Sequence, residues 1–117
     1  MLIIFIHFII YIFKGLANEI KYCQSQNKTI IVSLGGGIGK YGFNSKEEAE
    51  NFAQTVWDMF LGGKSDHRPF DDVILDGVDL DIELGPQLYY TDFVNKLQSI
   101  WRLSGKRYIM SAAPQCP

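Results

Sequence analysis

From Asp76 to Glu83 the chain reads Asp-Gly-Val-Asp-Leu-Asp-Ile-Glu, an alternation of acidic and apolar residues. Successive side chains of a β-strand leave on opposite faces. A strand here would put Asp79, Asp81 and Glu83 on one side and Val78, Leu80 and Ile82 on the other. Same-face neighbours then lie about 6.6–7 Å apart, twice the strand rise. In a partly dry cavity, like charges at that range resist ionising together, so at least one carboxyl pKa is expected to rise. A raised carboxyl can act as a general acid near neutral pH. Glu83 is the best placed, because it ends the strand and parallel α/β folds carry their chemistry at C-terminal strand ends. The alternation alone fits a half-exposed strand with a solvated acidic face equally well.

The flanking segments favour the first reading. Residues 29–34 form a β-branched run stopped by Gly35-Gly36-Gly37, and 107–112 form a further strand pattern. Both read as strands buried on two faces, between which a water-facing strand fits poorly. Helical spacing separates them. Leu16, Ile20 and Cys23 share one face of a short helix ending near Gln26. Ser45 with Glu48 three residues on is a capping box, and Ala49, Phe52, Ala53, Val56, Trp57 and Phe60 follow at helical intervals. Gly62-Gly63 stops that helix, and 62–72 is a polar loop. A second amphipathic helix over 91–103 buries Phe93, Val94, Leu97, Ile100 and Trp101. Strand, helix, strand, helix, strand implies a parallel sheet with right-handed crossovers.

Several function classes drop out. The net charge is −2 and the basic residues are scattered, so there is no nucleic-acid footprint. Gly35 to Lys40 resembles a phosphate loop, but Leu34 and Tyr41 stand where Gly and Ser or Thr are needed. Gly63-Lys64-Ser65 fails too, since Asp58 takes the first glycine's place. His7 and His67 lie away from the acidic strand, and Cys23 and Cys116 lack ligand spacing; neither a metal nor any other cofactor is expected. Residues 1–14 form an apolar segment, too short for a membrane span of roughly 20 residues. Its length fits a signal-peptide core and Gly15-Leu16-Ala17 gives a small-x-small cleavage pattern, but no positive charge leads it. That leaves three readings: an atypical signal, a buried strand or helix, or foreign sequence joined to a truncated domain. No membrane partner is expected. Asn27-Lys28-Thr29 fits the N-glycosylation acceptor pattern.

Asp76-Gly77-x-Asp79-x-Asp81-x-Glu83 resembles the DGxDxDxE signature of family 18 glycoside hydrolases, and Ser33-Leu34-Gly35-Gly36 resembles its SxGG signature one βα unit earlier. The stretches 31–39, 60–65 and 112–117 are similar to plant class III (acidic endo-) chitinases. The resemblance covers about residue 20 to the end, within a domain drawn over 15–117. It implies a (β/α)8 TIM barrel, an α/β fold, and hydrolysis of β-1,4-linked N-acetylglucosamine polymers by a retaining mechanism assisted by the substrate's own acetamide. It makes Glu83 the acid, Asp81 the residue orienting the acetamide, and Asp79 its support through a shared proton. It also puts Asp76, Ser33, Gly36, Gly37 and Gln115 at the substrate, with chitin or chito-oligosaccharide as partner. The family further implies secretion and a monomeric full-length form.

A complete barrel takes about 250 residues, so 117 residues are expected to supply about three βα units from its middle. The family's tyrosine on a later strand has no counterpart here, nor have the usual disulfide partners of Cys23 and Cys116. The chain therefore reads as a fragment, expected to be marginally stable, prone to aggregate and inactive alone. The alternative is a non-catalytic relative on the same barrel, a chitin-binding lectin or an inhibitor of other hydrolases.

Overall fold

The computed structural model describes residues 15–38 and 41–114. The apolar segment 1–14, Gln115 and Cys116 lie outside them. Three helices alternate with three strands: α1 (Leu16–Ser25), β1 (Ile31–Gly35), α2 (Lys46–Phe60), β2 (Gly77–Asp81), α3 (Tyr90–Arg102) and β3 (Ile109–Ala112). The strands form one parallel sheet in the order β1-β2-β3. This is the strand–helix–strand order expected, and it is consistent with one arc of a (β/α)8 barrel.

Two helix ends follow directly from local sequence. Ser45 caps α2 by accepting the Glu48 N–H at 3.1 Å. The other half of the capping box is displaced by one residue, because Glu48 Oε2 accepts the Asn44 N–H at 2.7 Å. α1 closes in a Schellman arrangement. The Lys28 N–H donates to the Cys23 carbonyl at 3.1 Å and the Asn27 N–H to the Gln24 carbonyl at 3.0 Å. Asn27 takes the left-handed conformation that this closure needs, with φ 58°. On α1 Ile20 packs against the core and Cys23 is half-buried as expected, but Leu16 stands out at 39% exposure and Ala17 is buried in its place.

The two faces of the sheet divide as the alternation predicts. Val32, Val78 and Met110 are in register, as are Leu34, Leu80 and Ala112. Val78 is fully buried against the helices, with Val32, Leu34, Leu80 and Met110 packed around the same core. From the helices come Ala49, Ala53, Val56 and Trp57 of α2 and Phe93, Leu97 and Trp101 of α3. Each large side chain so buried stabilises the fold by about 1.5–3 kcal/mol relative to exposure. Phe43, Phe52, Tyr90 and Phe93 cluster where α2 and α3 begin. Where they end, Trp101 stacks on Tyr108 at 5.5 Å and Trp57 meets the same ring edge-on at 5.6 Å.

Two expectations need correction. β2 ends at Asp81, so Glu83 lies two residues past the strand and Ile82 sits half-buried beside Gly35. The strands are also not buried on both faces. Ser33 is exposed and Ile109 is 44% exposed on the carboxylate side. The reason is geometric: a closed barrel needs about eight strands to cover that side, and the described residues hold three.

The long connection from α2 to β2 is organised by Arg68. Its guanidinium donates to the carbonyls of Asp58 (2.6 Å), Leu61 (2.9 Å), Gly63 (3.2 Å) and Val73 (2.6 Å), and its Nε to that of Asp71 (2.9 Å). Five backbone acceptors, four of them in the irregular segment and one in the last turn of α2, are thereby satisfied by one planar fork of donors. Burial lowers the Arg68 pKa, while Asp58 and Asp72 act to raise it.

Candidate active site

Parallel pairing sets three polar residues side by side across the sheet: Ser33 of β1, Asp79 of β2 and Ser111 of β3. Both hydroxyls donate to the carboxylate between them, Ser111 Oγ to Asp79 Oδ1 at 2.6 Å and Ser33 Oγ to Asp79 Oδ2 at 2.8 Å. Hydrogen bonds to the charged form favour it. The Ser111 hydroxyl, and after it that of Ser33, hold the Asp79 pKa below the ordinary carboxylate value. On Asp79 the shift is therefore downward, opposite to the rise that acid stacking alone leads one to expect.

One step along the same face is Asp81, paired with Gly35. Here only glycine fits. Its φ is 118°, and a Cβ would sit 2.0 Å from the Asp81 carbonyl oxygen. That carbonyl accepts the Gly36 N–H at 2.7 Å. The chain thus turns sharply off β1 and passes directly over the end of β2. Gly37 follows, and a Cβ there would lie 3.3 Å from Glu83 Oε2. Glu83 is exposed beside this bare backbone. The Tyr41 N–H donates to the Leu84 carbonyl at 3.1 Å, joining the loop after β1 to the loop after β2.

Asp81, Gly36, Gly37 and Glu83 therefore gather at the C-terminal end of the sheet, with Ser33 and Asp79 behind them at mid-strand. Asp76 does not join them. It precedes β2 at the other end, roughly 16 Å from Asp81 along the strand. Its Oδ2 accepts the Ile30 N–H at 2.9 Å and the Gln24 amide at 3.0 Å, and its Oδ1 accepts Lys106 Nζ at 3.2 Å. Burial pushes this carboxyl up, but the three donors outweigh it and leave the pKa below normal. Asp76 thus ties α1, β1 and the approach to β3 together. Gln115 lies outside the described residues. Tyr90 packs at 5.0 Å from Phe43 at the start of α3, and burial raises its pKa.

Ser111 was absent from the sequence-derived site. The signal was available: in a parallel sheet of this order, Ser111 falls opposite Asp79 once the strands are aligned. Among the described residues, no set of three or more His, Cys, Asp or Glu side chains is grouped to hold a metal ion. The arrangement offers an anchored anion, Asp79, behind Asp81, with an exposed carboxyl, Glu83, at the mouth. Such a row suits proton transfer to a substrate lying across the strand ends.

A parallel βα-barrel arc with a carboxylate row at its C-terminal edge is the framework of a barrel glycosidase site. The family model described as Glycosyl hydrolases family 18 matches residues 13–117, and the chain belongs to that family. Chitinase 1 of Candida albicans is 50% identical over 102 residues, which are 87% of this chain and 22% of that protein. The acidic endochitinase Pun g 14 of Punica granatum is 45% identical over 103 residues, 88% of this chain and 34% of that one. The crystal structure of ICChI chitinase from Ipomoea carnea superposes with a TM-score of 0.85 at 42% identity, covering 90% of this chain and 39% of that one. The xylanase and alpha-amylase inhibitor protein XAIP-II from Scadoxus multiflorus gives 0.80 at 41%, with the same coverage. The chain thus spans about a fifth to two-fifths of the length of these relatives. Fungal and plant chitinases match it to a similar degree, so the kinship is with family 18 chitinases of both groups.

Proposed function

We propose that the barrel carrying this arc hydrolyses β-1,4-linked N-acetylglucosamine polymers, with retention at the anomeric carbon. Glu83 protonates the departing glycosidic oxygen. The acetamide oxygen of the sugar attacks the anomeric carbon, and Asp81 orients that acetamide and faces the positive charge it acquires. Asp79, fixed by Ser33 and Ser111, positions Asp81 from behind. Water then opens the cyclic intermediate, giving its proton to the Glu83 carboxylate. No second carboxylate at nucleophile distance is needed, because the nucleophile belongs to the substrate.

The observation that carries this reading is the hydroxyl–carboxylate–hydroxyl row Ser33–Asp79–Ser111 beneath Asp81 and Glu83. A solvated acidic face would not need an acid clamped from both neighbouring strands. The chitinases among the relatives support the substrate class. The inhibitor XAIP-II shares the fold and keeps a non-catalytic role in view, but no residue here favours that reading over hydrolysis. The test is turnover of chito-oligosaccharide by the complete barrel and by its Asp81→Asn variant. The proposal expects turnover in the first and a loss of about 100-fold or more in the second. Binding without turnover in the unaltered protein would make it a lectin.

A further inference from the structure

We infer that Asn27 is an acceptor for N-linked glycan. Asn27-Lys28-Thr29 is the sole Asn-x-Ser/Thr triplet of the chain in which x is not proline. By itself the triplet is weak, because Asn27 also has a structural reason to be there: it ends α1 in the left-handed conformation, φ 58°. That role uses the backbone alone. The capping bonds run from the Asn27 and Lys28 N–H groups to carbonyls of α1, and asparagine serves because it tolerates positive φ. The carboxamide takes no part. Among the described residues, neither the Asn27 side chain nor the Thr29 hydroxyl makes a hydrogen bond, while the neighbouring Gln24 amide is engaged by Asp76 and the Ile74 carbonyl. Asn27, Lys28 and Thr29 are all exposed.

The surroundings also suit a large substituent. The triplet bridges the end of α1 and the start of β1, at the sheet end opposite the carboxylates. Ile30, just beyond it, is fixed to Asp76 through both its N–H and its carbonyl. The acceptor therefore projects from a firm turn, and a glycan there meets neither the core nor the strand ends where polysaccharide would lie. The transfer itself balances simply. The bond between the sugar anomeric carbon and the pyrophosphate oxygen of a lipid-linked oligosaccharide donor breaks. A bond from Asn27 Nδ2 to that carbon forms, and one amide proton leaves with the lipid pyrophosphate. Thr29 supplies the hydroxyl that the transferring enzyme reads.

The experiment is secretion of the complete barrel that carries these residues from a yeast host behind a cleavable leader, followed by peptide:N-glycosidase digestion in heavy-oxygen water and peptide mass spectrometry. The expected result is a glycosidase-sensitive mass shift with heavy oxygen at position 27. Asn27→Gly, which keeps the left-handed cap, and Thr29→Ala should each abolish the shift, and Thr29→Ser should retain it. A secreted chain with an unmodified Asn27 would overturn the inference, leaving Asn27 as a helix cap only. So would a shift that persists in Asn27→Gly. If Asn27→Gly fails to accumulate, Thr29→Ala, which leaves the cap intact, decides between the two. None of these outcomes bears on chitin hydrolysis.

Discussion

Ser111 Oγ stands 2.6 Å from Asp79 Oδ1 and donates to it, from the strand next to the one that bears the acids. With Ser33 on the other side at 2.8 Å, it fixes Asp79 as an anion facing along the sheet. Removing one donor should release that grip. In Ser111→Ala the Asp79 pKa should move up toward the ordinary value, followed by carboxyl-carbon NMR across acid pH. In the complete barrel the same change should lower kcat more than it raises KM, since Asp79 touches the substrate only through Asp81. An unchanged titration would show that the hydroxyl does not govern this acid.

Gly37 offers a way to disturb the acid without touching it. A methyl there would lie 3.3 Å from Glu83 Oε2, the free end of a flexible side chain. Gly37→Ala should therefore leave the melting temperature nearly unaltered while shifting Glu83. Misplacement of a reacting group by an ångström costs about a hundredfold, and a loss of about ten- to hundredfold in turnover is expected. Gly35→Ala should behave in the opposite manner. Its Cβ would meet the Asp81 carbonyl at 2.0 Å under a positive φ, so the folded chain itself should be lost, as circular dichroism would register.

Arg68 should be a stability residue with no direct part in chemistry. Arg68→Ala strips donors from five carbonyls, one in the last turn of α2 and four in the α2–β2 connection. Each lost bond counts for about 1 kcal/mol, so a loss of about 3 kcal/mol or more in denaturant unfolding is expected. Arg68→Lys should recover only part of it, because an ammonium cannot present the planar fork. A change within experimental scatter would mean that water replaces the guanidinium at little cost.

Asp76 sets an acid limit on the fold. Its folded pKa lies below the ordinary value of about 3.9. Below that value the unfolded chain binds the proton more readily than the folded one. The stability it contributes is therefore complete above about pH 4 and drains away as pH falls further, through the folded pKa. Asp76→Asn should be less stable than the unaltered chain at pH 6, and the gap should narrow toward pH 2. A constant gap across that range would place the contribution in packing rather than charge.

Much of this was legible from one-dimensional patterns. Val78 and Leu80 against Asp79 and Asp81 could be assigned to faces because strand periodicity is local, and Ser45 could be placed as a cap because capping needs only four residues. What stayed hidden depends on residues far apart in sequence. Ser111 becomes part of the site only through alignment of β2 with β3. Arg68 sits in a polar stretch that reads as plain loop, and its five acceptors are backbone atoms that no composition reveals. Asp76 belongs to the acidic signature, yet it faces the opposite end of the sheet, since a motif records spacing and not which end of a strand each member occupies. The extent of β2 was overread because alternation continues through Glu83, whereas the backbone pairing that defines a strand stops where Gly35 crosses over Asp81.

The central claim is that Glu83 donates the proton in a retaining, acetamide-assisted cleavage. The most direct measurement follows chito-oligosaccharide hydrolysis by proton NMR, using the complete barrel and its Glu83→Gln variant. The account predicts that the new reducing end appears first as the β-anomer. It also predicts that Glu83→Gln lowers turnover by about 100- to 10,000-fold while still binding the oligosaccharide. Initial release of the α-anomer, or a Glu83→Gln protein that turns over at an undiminished rate, would contradict it.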